Sequence, residues 1–304
     1  MMIVAALMAL AIGGQPGEPD RAAPSGPPTL NSVTPVVPAQ IPLASQFDIK
    51  SKITGRTYRI YISRPVVPPP ASGYSVLYVL DADATFATAE SQAILATFDG
   101  LKPIIVVGIG YPDVLAATKL RTWDLTPYKP DAETKAKEPG AVGDYGGGDA
   151  FYKFMVEELE PTTERLAQID PRQKSLMGYS LGGLFVAHIL LTHPEAYKNF
   201  VIGSPVIGWN NKEVLKDLPR FAERVSAGEI SPRVLITSSE LEQSDTLPSL
   251  PFRMVDNARE FAERLKSIKG SPDYSVSYVV LQGESHNSGL PAATSRGVAL
   301  VVSH

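Results

Sequence analysis

One short stretch, residues 174–185, constrains the fold of this chain more than any other. A brief apolar run leads into Gly178-Tyr179-Ser180-Leu181-Gly182-Gly183, and an apolar, helix-compatible pattern follows. A G-x-S-x-G elbow in this order of strand, tight turn and helix exposes a serine at a strained turn. Gly178 and Gly182 leave space where a Cβ would meet the neighbouring strand or helix. Taken alone, so loose a motif also fits a glycine-rich turn with a bystander serine.

The rest of the chain alternates apolar runs with helical patterns. Runs typical of strands covered on both faces occur at 75–80, 103–109, 200–205, 233–238 and 276–281. Helical patterns are predicted at 85–98, 151–168, 212–227 and 255–268. Pro161 and Pro219 are expected to break two of these helices, and Asp149 is expected to cap one. The alternation predicts a mostly parallel sheet with helices on both faces, and two further runs at 47–51 and 58–62 predict an antiparallel N-terminal hairpin.

The first 44 residues differ in composition from the rest. Residues 1–12 are almost wholly apolar and offer Ala9-Leu10-Ala11 for cleavage, which predicts a signal peptide and a periplasmic or secreted protein. This stretch is too short to span a membrane and has no Lys or Arg, so a frayed terminus on a cytoplasmic protein is the alternative. Residues 13–44 are rich in Pro, Gly, Ala and Ser and predict a linker, which leaves 45–304 as the folded domain.

The numbers of cysteine, histidine and charged residues limit the kinds of catalytic site, metal site and partner that this chain can have. The chain has no cysteine and only four histidines, so thiolate nucleophiles are excluded and a multi-histidine metal site is hard to assemble. A net charge of −4 without a basic run argues against nucleic acid as a partner. His286 lies in a polar loop where core packing gives little reason for it. The other histidines are expected within a helix, at a helix end and at the C-terminus: His188, His193 and His304.

Ser180, an acidic loop and His286 each follow a predicted strand. A serine nucleophile needs a base within hydrogen-bond reach and an acid behind that base. In α/β-hydrolases these groups follow strand ends in the order serine, acid, histidine. Glu242 is the preferred acid, Glu240 is the alternative, and a Ser–His pair without a strong acid is a third hypothesis. The sequence therefore predicts an α/β-hydrolase fold and a serine hydrolase that cleaves carboxylic esters.

An oxyanion hole requires two preorganised hydrogen-bond donors. The backbone N–H of Leu181, directly after the nucleophile, is expected to be one donor. The second is expected after the 75–80 strand, at Ala82 or Asp83. Asp81 and Asp83 could also be interpreted as metal ligands, but no histidine or further carboxylate cluster accompanies them.

The segment 115–148 has little apolar periodicity and predicts a long functional or mobile loop. Arg121 and Trp123 in this segment suggest binding of an anionic or aromatic substrate by charge and stacking. An Arg121–Asp124 salt bridge that orders the loop is an equal alternative. Tyr179, next to the nucleophile, is a further candidate for substrate contact.

With these residues assembled, the chain resembles the esterase D-like α/β-hydrolases, in particular the siderophore esterases that cleave enterobactin-type trilactones. The resemblance runs from about Phe47 to the C-terminus. It is carried by Ser-x-x-Thr-Gly-Arg-x-Tyr-Arg-Ile at 51–60, Tyr78-Val79-Leu80-Asp81, Arg121 with Asp124-Leu125-Thr126-Pro127, Gly147-Gly148 with Phe151 and Phe154, the elbow, Gly203-Ser204-Pro205, Ser239-Glu240-Leu241-Glu242 and Gly283-Glu284-Ser285-His286.

The resemblance implies serine ester hydrolysis without a metal cofactor. It implies Ser180 as nucleophile, His286 as base and Arg121 as a residue of the substrate loop. The chain departs from the family pattern at Asp81-Ala82-Asp83 and at Ser238-Ser239, which leaves the second oxyanion donor and the acid open.

The leading hypothesis is an exported serine esterase that acts on a small-molecule ester, with no nucleic-acid partner and no stable membrane insertion. A general short-acyl carboxylesterase and an acyltransferase are alternatives on the same scaffold. A third alternative is a non-catalytic protein that binds an aromatic or siderophore-like ligand through Arg121 and Trp123.

Overall fold

The computed structural model describes residues 39–137, 143–243 and 252–303. The predicted signal peptide, most of the predicted linker and His304 lie outside the described residues, so these assignments stay predictions. Within the described residues the first strand begins at Ala44.

An eight-stranded sheet forms the centre of the fold. The strands are β1 Ala44–Lys50, β2 Thr57–Ser63, β3 Tyr74–Leu80, β4 Ile104–Gly110, β5 Ile169–Tyr179, β6 Asn199–Gly203, β7 Arg233–Ser239 and β8 Ser275–Leu281. Their order across the sheet is β1-β2-β4-β3-β5-β6-β7-β8. β1–β2 and β2–β4 pair antiparallel, and the pairs from β4 to β8 are parallel. The predicted mostly parallel sheet with an antiparallel N-terminal hairpin is confirmed.

Helices cover both faces of the sheet, as the α/β-hydrolase fold requires. They are α1 Ala82–Phe98, α2 Val114–Leu125, α3 Ala132–Lys137, α4 Gly148–Phe154, α5 Glu160–Leu166, α6 Leu181–Thr192, α7 Leu218–Ser226, α8 Met254–Lys266 and α9 Gly289–Val302. α1 and α9 contact each other on one face. The core on the other face includes Phe154, Phe185, Phe221 and Phe261, which come from α4, α6, α7 and α8. None of the helices in the described part of the chain is long and apolar enough to cross a membrane.

The segment 115–148 is not the long loop that the sequence predicts, because it contains α2 and α3. The carboxylate of Asp113 caps α2 by accepting hydrogen bonds from two N–H groups of its first turn, at 2.9 and 3.3 Å. The helix buries Thr122 and Asp124 beside Leu125. Since its buried side includes polar residues, hydrophobic periodicity gives no signal for it.

The predicted helix 151–168 is present but divided around Pro161. A single π-helical turn, Met155–Leu159, joins α4 to α5, and Pro161 lies in the first turn of α5. Because proline lacks an N–H, the widened turn before it accommodates the break. Leu166 is 59% exposed because the helix ends there and the chain turns extended at Ala167.

Two predictions, one about a helix cap and one about a helix break, need correction. α4 starts after Gly147 without a side-chain cap, and Asp149 instead places its carboxylate 2.9 Å from Nε2 of His188. Pro219 does not break a helix but occupies the first turn of α7, after a 3-10 segment at Trp209–Asp217.

α9 is a helix that the sequence pattern does not predict. Its sequence contains Pro291 and Gly297 and has weak apolar periodicity. A Cβ at Gly297 would lie 2.9 Å from Cγ1 of Val201, so glycine permits α9 to pack closely on the sheet. Close packing through small residues therefore replaces a broad apolar stripe in this helix.

Candidate active site

The predicted site residues follow the carboxyl ends of four parallel strands. Asp81 and Ala82 follow β3, Ser180 follows β5, Glu242 follows β7 and His286 follows β8. In an open parallel sheet these strand ends form one edge, where ligands bind. The fold therefore brings together residues that are far apart in the sequence.

Ser180 lies at a strained turn between β5 and α6. Its backbone has φ 61° and ψ −118°, which is unfavourable for a residue with a Cβ. The N–H of Ser180 donates to the carbonyl oxygen of Gly203 at 2.9 Å, which anchors the turn to β6. A Cβ at Gly178 would collide with the backbone of Gly182, and one at Gly183 would lie 2.5 Å from the Gly203 oxygen. The turn therefore needs small residues on both sides of the serine.

His286 and Glu242 form a close pair. Nδ1 of His286 lies 2.5 Å from Oε1 of Glu242. The Glu242 side chain is fully buried and the His286 side chain is 14% exposed. The second Glu242 oxygen accepts a hydrogen bond from the N–H of Ser239 at 3.0 Å. A histidine that donates through Nδ1 leaves Nε2 as an acceptor, as a general base requires.

Glu240, the alternative acid, points elsewhere. It is exposed, and its carboxylate accepts a hydrogen bond from the N–H of Gly283 at 2.7 Å. The N–H of Leu241 also donates to the carbonyl of Glu284 at 2.9 Å. Glu240 thus attaches the histidine loop to the end of β7, whereas Glu242 contacts the imidazole.

Tyr179 contacts the histidine loop from the other side. Its hydroxyl donates to the carbonyl oxygen of His286 at 2.7 Å and lies 3.1 Å from Oγ of Ser239. Burial raises the pKa of Tyr179, so the phenol stays protonated and remains a donor. Tyr179 is predicted from the sequence to contact the substrate, but its hydroxyl contacts the protein.

The expected oxyanion donors lie at two neighbouring helix N-termini. Leu181 is the first residue of α6 and Ala82 is the first residue of α1, so neither N–H has an acceptor within its own helix. β3 is hydrogen-bonded to β5 with Val79 opposite Met177, and the same offset brings Ala82 level with Ser180. Helix N-termini favour negative charge, so this arrangement suits a developing oxyanion.

Asp83, the other candidate for the second donor, is also in the first turn of α1. Its carboxylate accepts a hydrogen bond from the hydroxyl of Tyr61 at 3.0 Å.

Arg121 does not pair with Asp124. Its Nε and Nη2 donate to the two carboxylate oxygens of Asp81 at 2.7 and 2.8 Å. Asp124 is fully buried and accepts hydrogen bonds from the hydroxyls of Tyr58 and Tyr111 at 3.0 and 2.8 Å. Burial raises the pKa of Asp124 to about 6. The sequence suggested either a substrate contact or a salt bridge with Asp124 for Arg121. Neither alternative included Asp81, which follows a different strand.

The indole ring of Trp123 contacts two other residues of the protein and also lines a cavity. Gly147 packs directly on its indole ring, and the guanidinium of Arg56 lies 4.3 Å from the ring centroid. The same tryptophan lines an open cavity of about 600 Å³, together with Lys129, Pro130, Lys135, Gly143, Asp144 and Tyr145.

Sequence comparison assigns the chain to a family. Residues 51–281 match the family model described as "Putative esterase". The chain belongs to this esterase family. The esterase is 36% identical to the ferri-bacillibactin esterase BesA of Bacillus subtilis, over 82% of its own length and 86% of the relative. It is 29% identical to the siderophore triacetylfusarinine C esterase of Aspergillus fumigatus, over 86% of its own length and 94% of the relative.

Solved structures agree with this assignment. The BES protein from Bacillus cereus superposes on the esterase with a TM-score of 0.76 and 34% identity, covering 88% of this chain and 98% of that chain. The siderophore hydrolase EstA from Aspergillus nidulans has the same fold, with a TM-score of 0.75 at 24% identity and coverage of 90% and 98%. The protein is therefore an ester hydrolase of the α/β-hydrolase fold, and the predicted resemblance to siderophore esterases is confirmed.

Two other histidines of the esterase lie away from the strand ends. His188, in the middle of α6, is buried between Asp149 and the hydroxyl of Tyr128, 3.3 Å from its Nδ1. His193 follows the last residue of α6, and burial lowers its pKa, which opposes the favourable effect of the helix end on a charged imidazole. Among the described residues, neither imidazole contacts a buried carboxylate as His286 does.

Sequence reasoning missed two contributors to this site, Ser239 and Asp81. Ser239 supplies its N–H to Glu242 and its hydroxyl to Tyr179. The sequence suggests Asp81 as part of the family pattern and as a possible metal ligand, but not the ion pair that it forms with Arg121. Both residues directly follow or end a buried strand, which is the signal that could have identified them.

Proposed function

We propose that this esterase uses Ser180 as nucleophile, His286 as general base and Glu242 as the acid behind the histidine. Oγ of Ser180 attacks the ester carbonyl while Nε2 of His286 accepts its proton and then transfers it to the leaving alkoxide. Water, activated by the same imidazole, attacks the acyl-enzyme, and the proton returns to Ser180 as the acid product leaves. The observation that carries this proposal is the buried Glu242 carboxylate 2.5 Å from His286, together with the strained backbone of Ser180 at the carboxyl end of β5.

The N–H groups of Leu181 and Ala82 would stabilise the tetrahedral oxyanion. The positions of these two residues support this role. Leu181 begins α6, Ala82 begins α1, and the two are level with each other across the β3–β5 pair. In this role, a preorganised backbone donor requires little reorganisation when charge develops. Asp83 N–H is the alternative second donor.

The substrate class we propose is the trilactone of a siderophore. The relatives named above act on siderophores by their names, and one of them covers most of this chain at 36% identity. The cavity beside Trp123 is lined by an indole, Tyr145, two cations (Lys129 and Lys135) and one carboxylate (Asp144), and this net positive, aromatic lining suits anionic aromatic groups of a substrate.

Comparing kcat/KM for a catecholate trilactone with the values for p-nitrophenyl acetate and butyrate tests this substrate class. We expect the trilactone to be preferred by about 10²-fold or more, because its polar groups would be matched by the site. Equal or higher values for the simple esters would identify a general carboxylesterase. Saturable binding without hydrolysis would identify a binding protein, and ester products formed with an alcohol acceptor would identify an acyltransferase.

We also propose that the protein is exported, on the strength of the apolar residues 1–12 and the Ala9-Leu10-Ala11 sequence. The test is expression of the full chain in a Gram-negative host, followed by fractionation and N-terminal sequencing. A shortened protein in the periplasm is the expected result, with a variant lacking residues 2–12 retained in the cytoplasm. Full-length protein confined to the cytoplasm would contradict export.

A further inference from the structure

The side chain of Asp81 lies at the proposed oxyanion hole. Asp81 directly precedes Ala82 and has a left-handed backbone, with φ 52° and ψ 50°. This conformation is uncommon for a residue other than glycine and requires support from its surroundings. A Cβ built on Gly182 would lie 3.3 Å from Oδ2 of Asp81, so the carboxylate also lies against the start of α6.

The bidentate contact from Arg121 provides that support. Arg121 comes from α2 and holds both oxygens of Asp81, and the two side chains are only 23% and 19% exposed. Burial opposes the charge on Arg121, but the neighbouring Asp81 carboxylate outweighs this and raises the pKa of the guanidinium. α2 itself is fixed by buried Asp124, which binds two tyrosine hydroxyls. The guanidinium is therefore held rigidly over the carboxylate.

An unpaired carboxylate at this point would oppose catalysis. Helix N-terminal N–H groups attract any nearby anion, so a free Asp81 could accept from the donors that the oxyanion needs. Its negative charge would also repel the developing oxyanion, an effect that is strong where solvent is scarce. The planar guanidinium of Arg121 prevents the capture of these donors and the repulsion of the oxyanion. It contacts both oxygens of the carboxylate, and so neutralises its charge and fixes its orientation.

We propose that Arg121 is a positioning residue that holds and neutralises Asp81, and so keeps the Ala82 N–H available to the oxyanion. This role replaces the substrate contact expected from the sequence, and it rests on the proposed esterase mechanism. It predicts that Arg121 matters even for substrates that carry no charge. It also predicts that the harm done by removing Arg121 comes largely from the carboxylate left behind.

The test uses p-nitrophenyl acetate, a small neutral ester that offers Arg121 no anionic group. Arg121→Gln should lower kcat by about 10–10²-fold, somewhat less than deletion of an oxyanion donor, with KM unchanged. Adding Asp81→Asn to Arg121→Gln should raise kcat again, because the uncompensated charge is removed. Arg121→Lys, which keeps the charge but not the two-point contact, should fall between wild type and Arg121→Gln, and it serves if Arg121→Gln does not fold.

Arg172→Gln is the matched control. Arg172 makes the same bidentate contact with Asp170, at 3.0 and 3.1 Å, near the start of β5 and therefore at the opposite end of that strand from Ser180. This variant should keep wild-type kcat and KM. A wild-type kcat in Arg121→Gln, or a double variant no faster than Arg121→Gln, would overturn the positioning role while leaving the esterase mechanism intact. Wild-type protein that hydrolyses no ester at all would overturn both.

Discussion

Glu240 and Glu242 are two residues apart, yet the fold gives them different partners. Glu242 is buried against Nδ1 of His286, and Glu240 is exposed and accepts from Gly283. Both belong to one 3-10 turn at Glu240–Gln243, so their side chains leave the backbone in different directions. The sequence predicts an acid here and favours Glu242, but which glutamate contacts the histidine depends on the direction of this turn.

Replacing each glutamate by glutamine should separate their roles. Glu242→Gln removes the charge that stabilises the imidazolium and disturbs the tautomer, so kcat should fall by about 10³–10⁴-fold. Glu240→Gln keeps an oxygen that can accept from Gly283, so its kcat should stay near wild type. Steady-state kinetics on one ester measures both variants. Similar losses in the two, or a larger loss in Glu240→Gln, would contradict the assignment.

Tyr179→Phe should loosen the histidine loop without removing a group that touches the reacting atoms. The substitution leaves the carbonyl of His286 without its donor, which costs about 1–3 kcal/mol when the carbonyl stays shielded from water. Amide hydrogen exchange should therefore accelerate at 283–288, and kcat/KM should fall by about tenfold or more. Tyr278→Phe, whose hydroxyl contacts Ser238 rather than the loop, is the control. Unchanged exchange and unchanged kcat/KM would refute the role of Tyr179.

Among the elements, α2 shows best where sequence patterns fail. The buried strands were predictable because their apolar runs are continuous, as strands covered on both faces require. α2 was mistaken for loop because polar groups, Asp124 above all, occupy its buried side. The Arg121–Asp81 pair was missed for a related reason. Its members are 40 residues apart and meet only because α2 follows β4, the neighbour of β3.

Asp124 should make the stability of the fold depend on pH. Its pKa is about 6 in the folded protein and 3.8 in a model compound, so between these values the folded chain holds a proton that the unfolded chain has lost. The free energy of unfolding should therefore fall as pH rises through this window, by up to about 3 kcal/mol from this group. Urea unfolding of wild type and Asp124→Asn at pH 4 and pH 7 measures it. Relative to Asp124→Asn, the free energy of unfolding of the wild type should be lower at pH 7 than at pH 4. A difference between the two proteins that does not change with pH would contradict the account.

On the scale of the whole molecule, strand order determines which residues can act together. The parallel arrangement β3-β5-β6-β7-β8 brings residues from 81 to 286 to one edge. The order of serine, acid and histidine after successive strands predicts that these residues meet at one edge, because connections between parallel strands are regular in their handedness. The same order does not predict which side chains contact each other there. Tyr179 with His286 and Arg121 with Asp81 depend on side-chain directions that only the packed structure provides.

The identity of the nucleophile is the central claim, and covalent labelling tests it most directly. A fluorophosphonate should label the wild-type protein at a single residue, identified by peptide mass spectrometry as Ser180, and abolish hydrolysis in step with labelling. Ser180→Ala should take up no label and lose several orders of magnitude in kcat, whereas Ser267→Ala, at the exposed end of α8, should behave as wild type. Equal hydrolysis by Ser180→Ala and wild type, or labelling at another serine, would contradict the account.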